Sequence, residues 1–413
     1  MKKTVIELFA GVGGFRIGLN NITSIDENGR AIENGDFDFV WANQWEPSTQ
    51  IQHAFDCYNL RFNESNNSNV DISLVNKKEI PDHSLLCGGF PCQDYSVARS
   101  LSNEQGIEGK KGVLWWQIRD ILETKKTPFV LLENVDRLVK APSKQRGRDF
   151  GIMLRCMAEL GYIVEWRIIN AAEYGLPQRR RRIYIFAYKN DTNFAKKIGK
   201  FDAKDILQGK GVFAQQFPIE EIGNDIKIID IMSYKDIVDL SNNFHFPFEN
   251  SGVMVNGVVY TIKVVPKYFK PISLGQIIVN DADECYFLDE NEKKKFKYLR
   301  GQKSLERVSK DGHRYNYSEG AMSPYDDLSL PGRTMLTSEG SINRSTHIIK
   351  DPINNELRIL TPVECERLNQ FPDNWTNSGM PEKRRYFMMG NALVCGIVSK
   401  LSELISDIIE SEN

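Results

Sequence analysis

Thr4-Val5-Ile6-Glu7-Leu8-Phe9-Ala10-Gly11-Val12-Gly13-Gly14-Phe15 follows only Met1-Lys2-Lys3. Its first half is a β-rich apolar run and its glycines lead into a helix-like segment. That is the strand-to-helix turn of an open α/β sheet, where a nucleotide-like ligand sits at the carboxyl edge and glycine lets the backbone approach it. A dinucleotide fingerprint needs a third glycine where Arg16 stands, and a phosphate loop needs Gly-Lys-Ser/Thr, so pyrophosphate binding is disfavoured. Such a turn can be purely structural, but its neighbours argue for a ligand. The next β-run ends in Asn43-Gln44-Trp45-Glu46, offering a polar group for ribose hydroxyls and an indole for a purine, although a core tryptophan is common. Asp71-Ile72 offers a carboxylate that can accept an adenine amino proton.

Outward from that turn the pattern repeats. Thr4–Phe9, Phe37–Trp41, Ser84–Cys87, Phe129–Glu133, Tyr162–Ile169 and Ile183–Tyr188 read as strands; Thr49–Leu60, Val113–Glu123 and Arg148–Leu160 carry apolar residues at helical spacing. The alternation predicts a parallel sheet covered by helices over residues 1–190. After Lys189 the period degrades into short β-like runs, such as Gly252–Val265, among charged and turn-rich stretches, which reads as a second, irregular unit. Lys293 to Arg314 holds nine Lys/Arg against two acids; it is either a solvated face or a phosphate-contacting surface. Leu393–Ile409 is amphipathic, with Leu393, Ile397, Val398, Leu401, Leu404, Ile405 and Ile408 on one side, so the chain should close on a helix packed against a core.

Bulk properties exclude several classes. With 413 residues, 41% of them hydrophobic, the chain can bury more than one core. Lys+Arg of 53 against Asp+Glu of 55 gives a net charge of −2, so a polyanion site must be a local basic face. No apolar run approaches the roughly 18 residues of a membrane span, and no signal-peptide core follows Met1, so a cytoplasmic protein is expected. Seven cysteines without a Cys-x-x-Cys pair, and five histidines, indicate neither a disulfide framework nor a metal site.

Two chemical groups stand out. Ser84–Cys87 runs into Gly88-Gly89-Phe90-Pro91-Cys92-Gln93, so Cys92 leaves a strand's carboxyl end on a rigid turn followed by a polar loop, the exposure a thiolate nucleophile needs. The other six cysteines read as small core hydrophobes. A later strand ends in Leu132-Glu133-Asn134-Val135, which would bring Glu133 to the same sheet edge as Cys92. Gln178-Arg179-Arg180-Arg181-Arg182 enters another strand, where alternation places Arg180 and Arg182 on one face and Arg179 and Arg181 on the other.

Taken in order, these segments resemble the DNA cytosine-5 methyltransferase family. Phe9–Phe15 is similar to its first motif, Gly89-Phe90-Pro91-Cys92-Gln93 to its catalytic motif, Glu133-Asn134-Val135 to its acid motif and Gln178–Arg182 to its arginine motif. Arg358-Ile359-Leu360-Thr361-Pro362-Val363-Glu364-Cys365-Glu366-Arg367 and Gly390-Asn391-Ala392 resemble the last two, with Ala392 in place of a frequent small polar residue. Arg333-Thr334-Met335-Leu336-Thr337 is similar to the family's Thr-Leu element with Met335 inserted.

The resemblance implies an α/β, Rossmann-like S-adenosylmethionine-dependent methyltransferase domain over 1–190, completed by a C-terminal helix in 390–413. A smaller irregular target-recognition domain would occupy 191–357, and 358–389 would connect the two. It implies Cys92, Glu133, Arg180 and Arg182 as catalytic residues. S-adenosyl-L-methionine would be held by Phe9, Ala10, Gly11, Gly13, Gly14, Phe15, Gln44, Trp45, Asp71, Ile72, Pro91, Leu114 and Asn391. The family places Glu where this chain has Gln44, so either that amide substitutes, the favoured reading, or Glu46 reaches in. The implied substrate is a cytosine flipped out of duplex DNA, with Asp94–Lys111 as a closing clamp. No long extension precedes the first motif, which suggests a stand-alone enzyme of the bacterial or phage restriction-modification type. A cognate endonuclease could act separately, and a monomer would suffice. The competing readings are an RNA cytosine methyltransferase and a non-catalytic DNA-binding protein that keeps the fold.

Overall fold

The computed structural model describes residues 1–63, 66–90, 114–308 and 312–412. The first strands and helices are β1 (Thr4–Leu8), α1 (Gly14–Leu19), β2 (Asp38–Asn43), α2 (His53–Phe62), β3 (Leu85–Gly89), α3 (Leu114–Lys125), β4 (Phe129–Val135), α4 (Arg148–Glu159), β5 (Tyr162–Asn170) and β6 (Arg181–Lys189). Helix α2 starts later than its apolar spacing suggests. The Gln52 amide donates to the carbonyls of Glu46 and Thr49 and holds that stretch as a turn.

Strands β1 to β4 pair in parallel, as expected. The sheet as a whole is mixed, because β6 lies antiparallel between β4 and β5. The cause is the link from β5 to β6. It holds only a single 3-10 turn, Ala171–Glu173, and lacks the helix that a crossover to a parallel neighbour needs.

The sheet also continues beyond residue 190. After β7 (Ile219–Ile222) come β8 (Lys227–Asp230), β9 (Ser251–Val255) and β10 (Val258–Ile262), and the strand order becomes β2-β1-β3-β4-β6-β5-β9-β10-β8. Asn256 and Gly257 join β9 to β10 with φ of 49° and 79°, the left-handed pair of a tight hairpin. Strand β11 (Val264–Pro266) pairs with β7 and with no other strand among the described residues.

Alternation along the strands feeds two cores, one on each face. Val5, Leu85, Leu131 and Phe186 point to one side and Ile6, Leu86, Val130 and Ile185 to the other. Beyond the sheet lie α5 (Glu290–Arg300), the ribbon β12 (Lys303–Val308) and β13 (Arg314–Glu319), the pair β14 (Ile348–Lys350) and β15 (Leu357–Ile359), then α6 (Pro362–Leu368), α7 (Glu382–Asn391) and α8 (Cys395–Glu410). Helix α8 buries Ile397, Val398, Leu401, Ile405 and Ile408 in the same core as α1. The two backbones come so close that a Cβ on Gly18 would lie 2.5 Å from that of Val398, and Ser402 donates to the Leu19 carbonyl at 2.6 Å. No helix among the described residues is long and apolar enough to cross a membrane.

Candidate active site

The parallel register of β3 and β4 sets Gly89 beside Glu133. A side chain on Gly89 would bring its Cβ to 3.3 Å from the Glu133 carboxyl, so glycine keeps this edge open. Beyond β3, the Asn134 amide donates to the Phe90 carbonyl at 2.9 Å and fixes where the chain leaves the sheet. Pro91, Cys92 and the Asp94–Lys111 segment lie outside the described residues. The strand that precedes Cys92 in the sequence is therefore placed beside Glu133, and Cys92 itself is outside the described residues.

The arginine alternation is as expected: Arg179 and Arg181 are exposed, Arg180 is buried and Arg182 half-buried. Arg182 Nε lies 3.0 Å from Glu133 Oε1. Arg180 is also bonded to backbone carbonyls. Its terminal nitrogens donate to the carbonyls of Met335 and Gly390, both at 2.9 Å, so it ties β6 to two distant segments. Burial raises the Glu133 carboxyl above its ordinary range despite the opposing pull of Arg182 and Arg180. Burial, then the neighbouring Arg182, lowers Arg180 to about 9.

At the other end of the edge, Phe9, Gly11 and Gly13 take φ of 53°, 54° and 91°. Gly11 donates to Gln44 Oε1 at 2.8 Å, and the space where its Cβ would stand is open. A Cβ on Gly13 would instead lie 2.6 Å from the Phe62 ring. Glu46 is committed elsewhere: its carboxylate is paired with Arg384 and its amide with Gln52. Of the two candidates for the ribose, Gln44 is the one at the glycine loop.

Trp45 is 37% exposed. Asn43 donates to the Val70 carbonyl at 2.9 Å and Asn69 to that of Gln44, which bring Asp71 and the buried Ile72 alongside the end of β2. Asp71 Oδ1 accepts from the amide and hydroxyl of Ser73. Leu114 is half-buried at the start of α3, and Asn391 is exposed at the end of α7, directly after the Gly390 that Arg180 braces. The space over Gly11 is open, its amide donates to the Gln44 side chain, and the Trp45 indole that follows is partly exposed. No group of three metal-ligating side chains occurs among the described residues.

Sequence reading passed over Glu7. It is wholly buried beneath the loop, accepting from the Phe15 amide at 3.2 Å and the Tyr58 hydroxyl at 3.1 Å, and burial pushes it up to about 8. A carboxylate inside an otherwise apolar strand was the available signal. Thr334 donates to the Arg179 carbonyl at 2.5 Å and the Met335 amide to Gln178 at 3.1 Å, so the inserted Met335 is the residue packed inward while Leu336 is exposed.

Residues 3–407 match the family described as C-5 cytosine-specific DNA methylase. The type II methyltransferase M.Sau3AI of Staphylococcus aureus is 53% identical over 409 residues, covering 98% of this chain and 96% of the relative. M.HhaI of Haemophilus parahaemolyticus is 35% identical over 188 residues, 46% of this chain and 50% of the relative. Among solved structures, a mutant DNMT2 of Spodoptera frugiperda aligns over 98% of this chain and 99% of its own, with a TM-score of 0.59 at 15% identity. Dnmt2 of S. pombe aligns over 99% of both chains, with a TM-score of 0.58 at 17% identity. These two share the fold. A glycine loop, the strand that ends at Gly89 and a carboxyl held by arginine thus meet on one edge of a sheet that the family matches almost end to end, and the chain belongs to the C-5 cytosine-specific DNA methylases as a DNA (cytosine-5-)-methyltransferase.

Proposed function

We propose that this enzyme methylates carbon 5 of a cytosine flipped out of a specific duplex sequence, with S-adenosyl-L-methionine as donor and a covalent bond from Cys92 to the base as intermediate. The observation that carries the reading is Glu133, raised by burial and held by Arg182 on the strand next to the one that leads to Cys92.

Carbon 5 of cytosine is a poor nucleophile because the ring resists lending it electrons. Addition of the Cys92 thiolate to carbon 6 breaks that conjugation. Glu133 in its protonated form donates to N3, and its other oxygen accepts from the exocyclic amino group, so negative charge entering the ring is neutralised as the bond forms. Arg182 keeps the carboxyl aimed, and Arg180 fixes the strand that bears Arg182. S-adenosyl-L-methionine supplies the methyl group as an electrophile, and the loop Phe9–Phe15, Gln44, Trp45, Asp71, Ile72, Pro91, Leu114 and Asn391 would hold it. Loss of the carbon-5 proton and departure of the Cys92 thiolate restore aromaticity. None of this is reachable in a stacked duplex, so the base must rotate out, at a cost of a few kcal/mol.

We assign residues 1–190 and the C-terminal helix to catalysis and cofactor binding, 191–357 to target recognition and 358–389 to their connection, with β8, β9 and β10 serving as the joint because they share the central sheet. Similarity to a type II methyltransferase along nearly the whole chain supports a restriction-modification role. The enzyme would then work as a cytoplasmic monomer beside a separately acting endonuclease. The test is transfer of labelled methyl to mixed-sequence duplex DNA, read by bisulfite sequencing. Methylated cytosines in one short context, lost in Cys92→Ala, are expected; methylation that survives the substitution would overturn the mechanism.

A further inference from the structure

Strands β12 and β13 pair with each other and with no third strand among the described residues. Such a ribbon is marginal alone in water, and its two faces differ. On one, Lys303, Leu305 and Arg307 stand opposite Glu319, Tyr317 and Tyr315. That face leans on the body at its base: Lys303 donates to the Leu299 carbonyl at 3.2 Å, and Glu319 pairs with Arg344 at 3.1 Å. On the other, Ser304, Glu306 and Val308 stand opposite Ser318, Asn316 and Arg314, and all six are exposed. This second face carries Ser304, Ser318 and Asn316, one charge of each sign in Glu306 and Arg314, which lie 3.6 Å apart, and the apolar Val308.

The base of the ribbon is linked to the active site by consecutive contacts. Arg344 also donates to the Leu299 carbonyl at 2.8 Å. Its neighbour Ser345 accepts at 3.0 Å from Arg333, which precedes Thr334 and Met335, and the Met335 carbonyl receives Arg180. The same arginine strand positions Arg182 against Glu133. Beside the ribbon, Lys294, Lys295 and Lys297 of α5 are exposed.

We propose that the β12–β13 ribbon enters the major groove of the substrate duplex with the Ser304, Glu306, Arg314 and Asn316 face against base edges, and so sets the target sequence, while Lys294, Lys295 and Lys297 hold phosphates. The inference rests on the DNA methyltransferase reading and deepens it. The groove is wide enough for a two-stranded ribbon. Arginine matches the acceptors of guanine, asparagine the donor–acceptor pair of adenine, and glutamate the amino group of cytosine. Lysines on the adjoining helix supply attraction without sequence preference.

The experiment compares the unsubstituted enzyme, Arg314→Ala, Asn316→Ala and the triple change of Lys294, Lys295 and Lys297 to Ala on a randomised duplex library, reading methylated contexts by bisulfite sequencing. Where turnover is too low to sequence, the duplexes each variant retains are sequenced instead. Each single substitution should relax discrimination at one position of the target roughly tenfold. The lysine variant should lose methylation evenly across contexts, with a shallower salt dependence. If both single variants keep the original context, at full or uniformly reduced rate, the proposal is overturned. If the unsubstituted enzyme methylates nothing, the enzymatic reading fails and this proposal falls with it.

Discussion

Glu133 is a carboxyl with 13% of its side chain exposed, touching an arginine and yet shifted upward, because desolvation outweighs the ion pair. A carboxyl that must donate to a ring nitrogen needs that balance. Glu133→Gln is expected to lower kcat about a hundredfold or more, the scale of a lost general acid, with cofactor affinity unchanged. The wild-type rate should also fall as pH rises through the elevated carboxyl pKa, since only the protonated form donates, and the variant should lose that limb. An unchanged alkaline limb in the variant would assign it to another group.

Glu7 and Glu165 lead to a stability effect. Burial pushes them to about 8 and about 7 from an ordinary value of 4.5. Between the ordinary and the raised values the folded state holds more protons than the unfolded one, so the stability these two groups contribute is fully present below pH 4.5 and is lost as pH rises through about 7 and 8. Glu7→Gln should flatten the decline in melting temperature over that interval, and an undiminished slope would contradict the burial argument. Glu133 stood out in the sequence because it lies near the end of a strand ahead of a turn. Glu7 left a weaker signal, a carboxylate in an apolar strand, because its partner Tyr58 becomes a neighbour only after folding. The choice between Gln44 and Glu46 likewise depends on Arg384, far along the chain.

At the scale of elements, strand positions were legible because apolar runs feeding two cores are long and regular. Strand direction was not: the antiparallel β6 follows from a missing helix between β5 and β6, a negative signal that alternation conceals. The β-like run Gly252–Val265 folds back at Asn256-Gly257 as a hairpin, and nothing local says that its strands join the central sheet. Arg358, at the head of one family motif, is fully buried, with Nε 2.7 Å from Asp351 and both terminal nitrogens 2.8 Å from Glu364. Glu364 also accepts from the Thr361 amide at 2.7 Å and so fixes the entry to α6. Arg358→Ala would strand two buried carboxylates, a change of roughly 3–5 kcal/mol. Urea unfolding should register that loss, and a change below about 1 kcal/mol, the range of exposed pairs, would mean the network is solvated.

At the scale of the whole molecule, the chain closes on itself: α8 covers α1, and the Trp375 indole donates to the Val12 carbonyl at 2.7 Å across nearly the entire sequence. The amphipathic pattern of α8 announced a covered face, and only the family resemblance said which face it covers. Removing residues 395–410 should leave the β1–α1 core open and the product insoluble; a soluble fragment that unfolds cooperatively would show that the first part stands alone. The central claim is the bond from Cys92 to the base, and a duplex bearing 5-fluorocytosine at the target tests it most directly, because fluorine cannot leave as the proton does and the intermediate is trapped. The account expects, in the presence of S-adenosyl-L-methionine, a complex that survives denaturation, with the modified base mapped to Cys92 and absent in Cys92→Ala; no such complex, or one mapped to another residue, would contradict it.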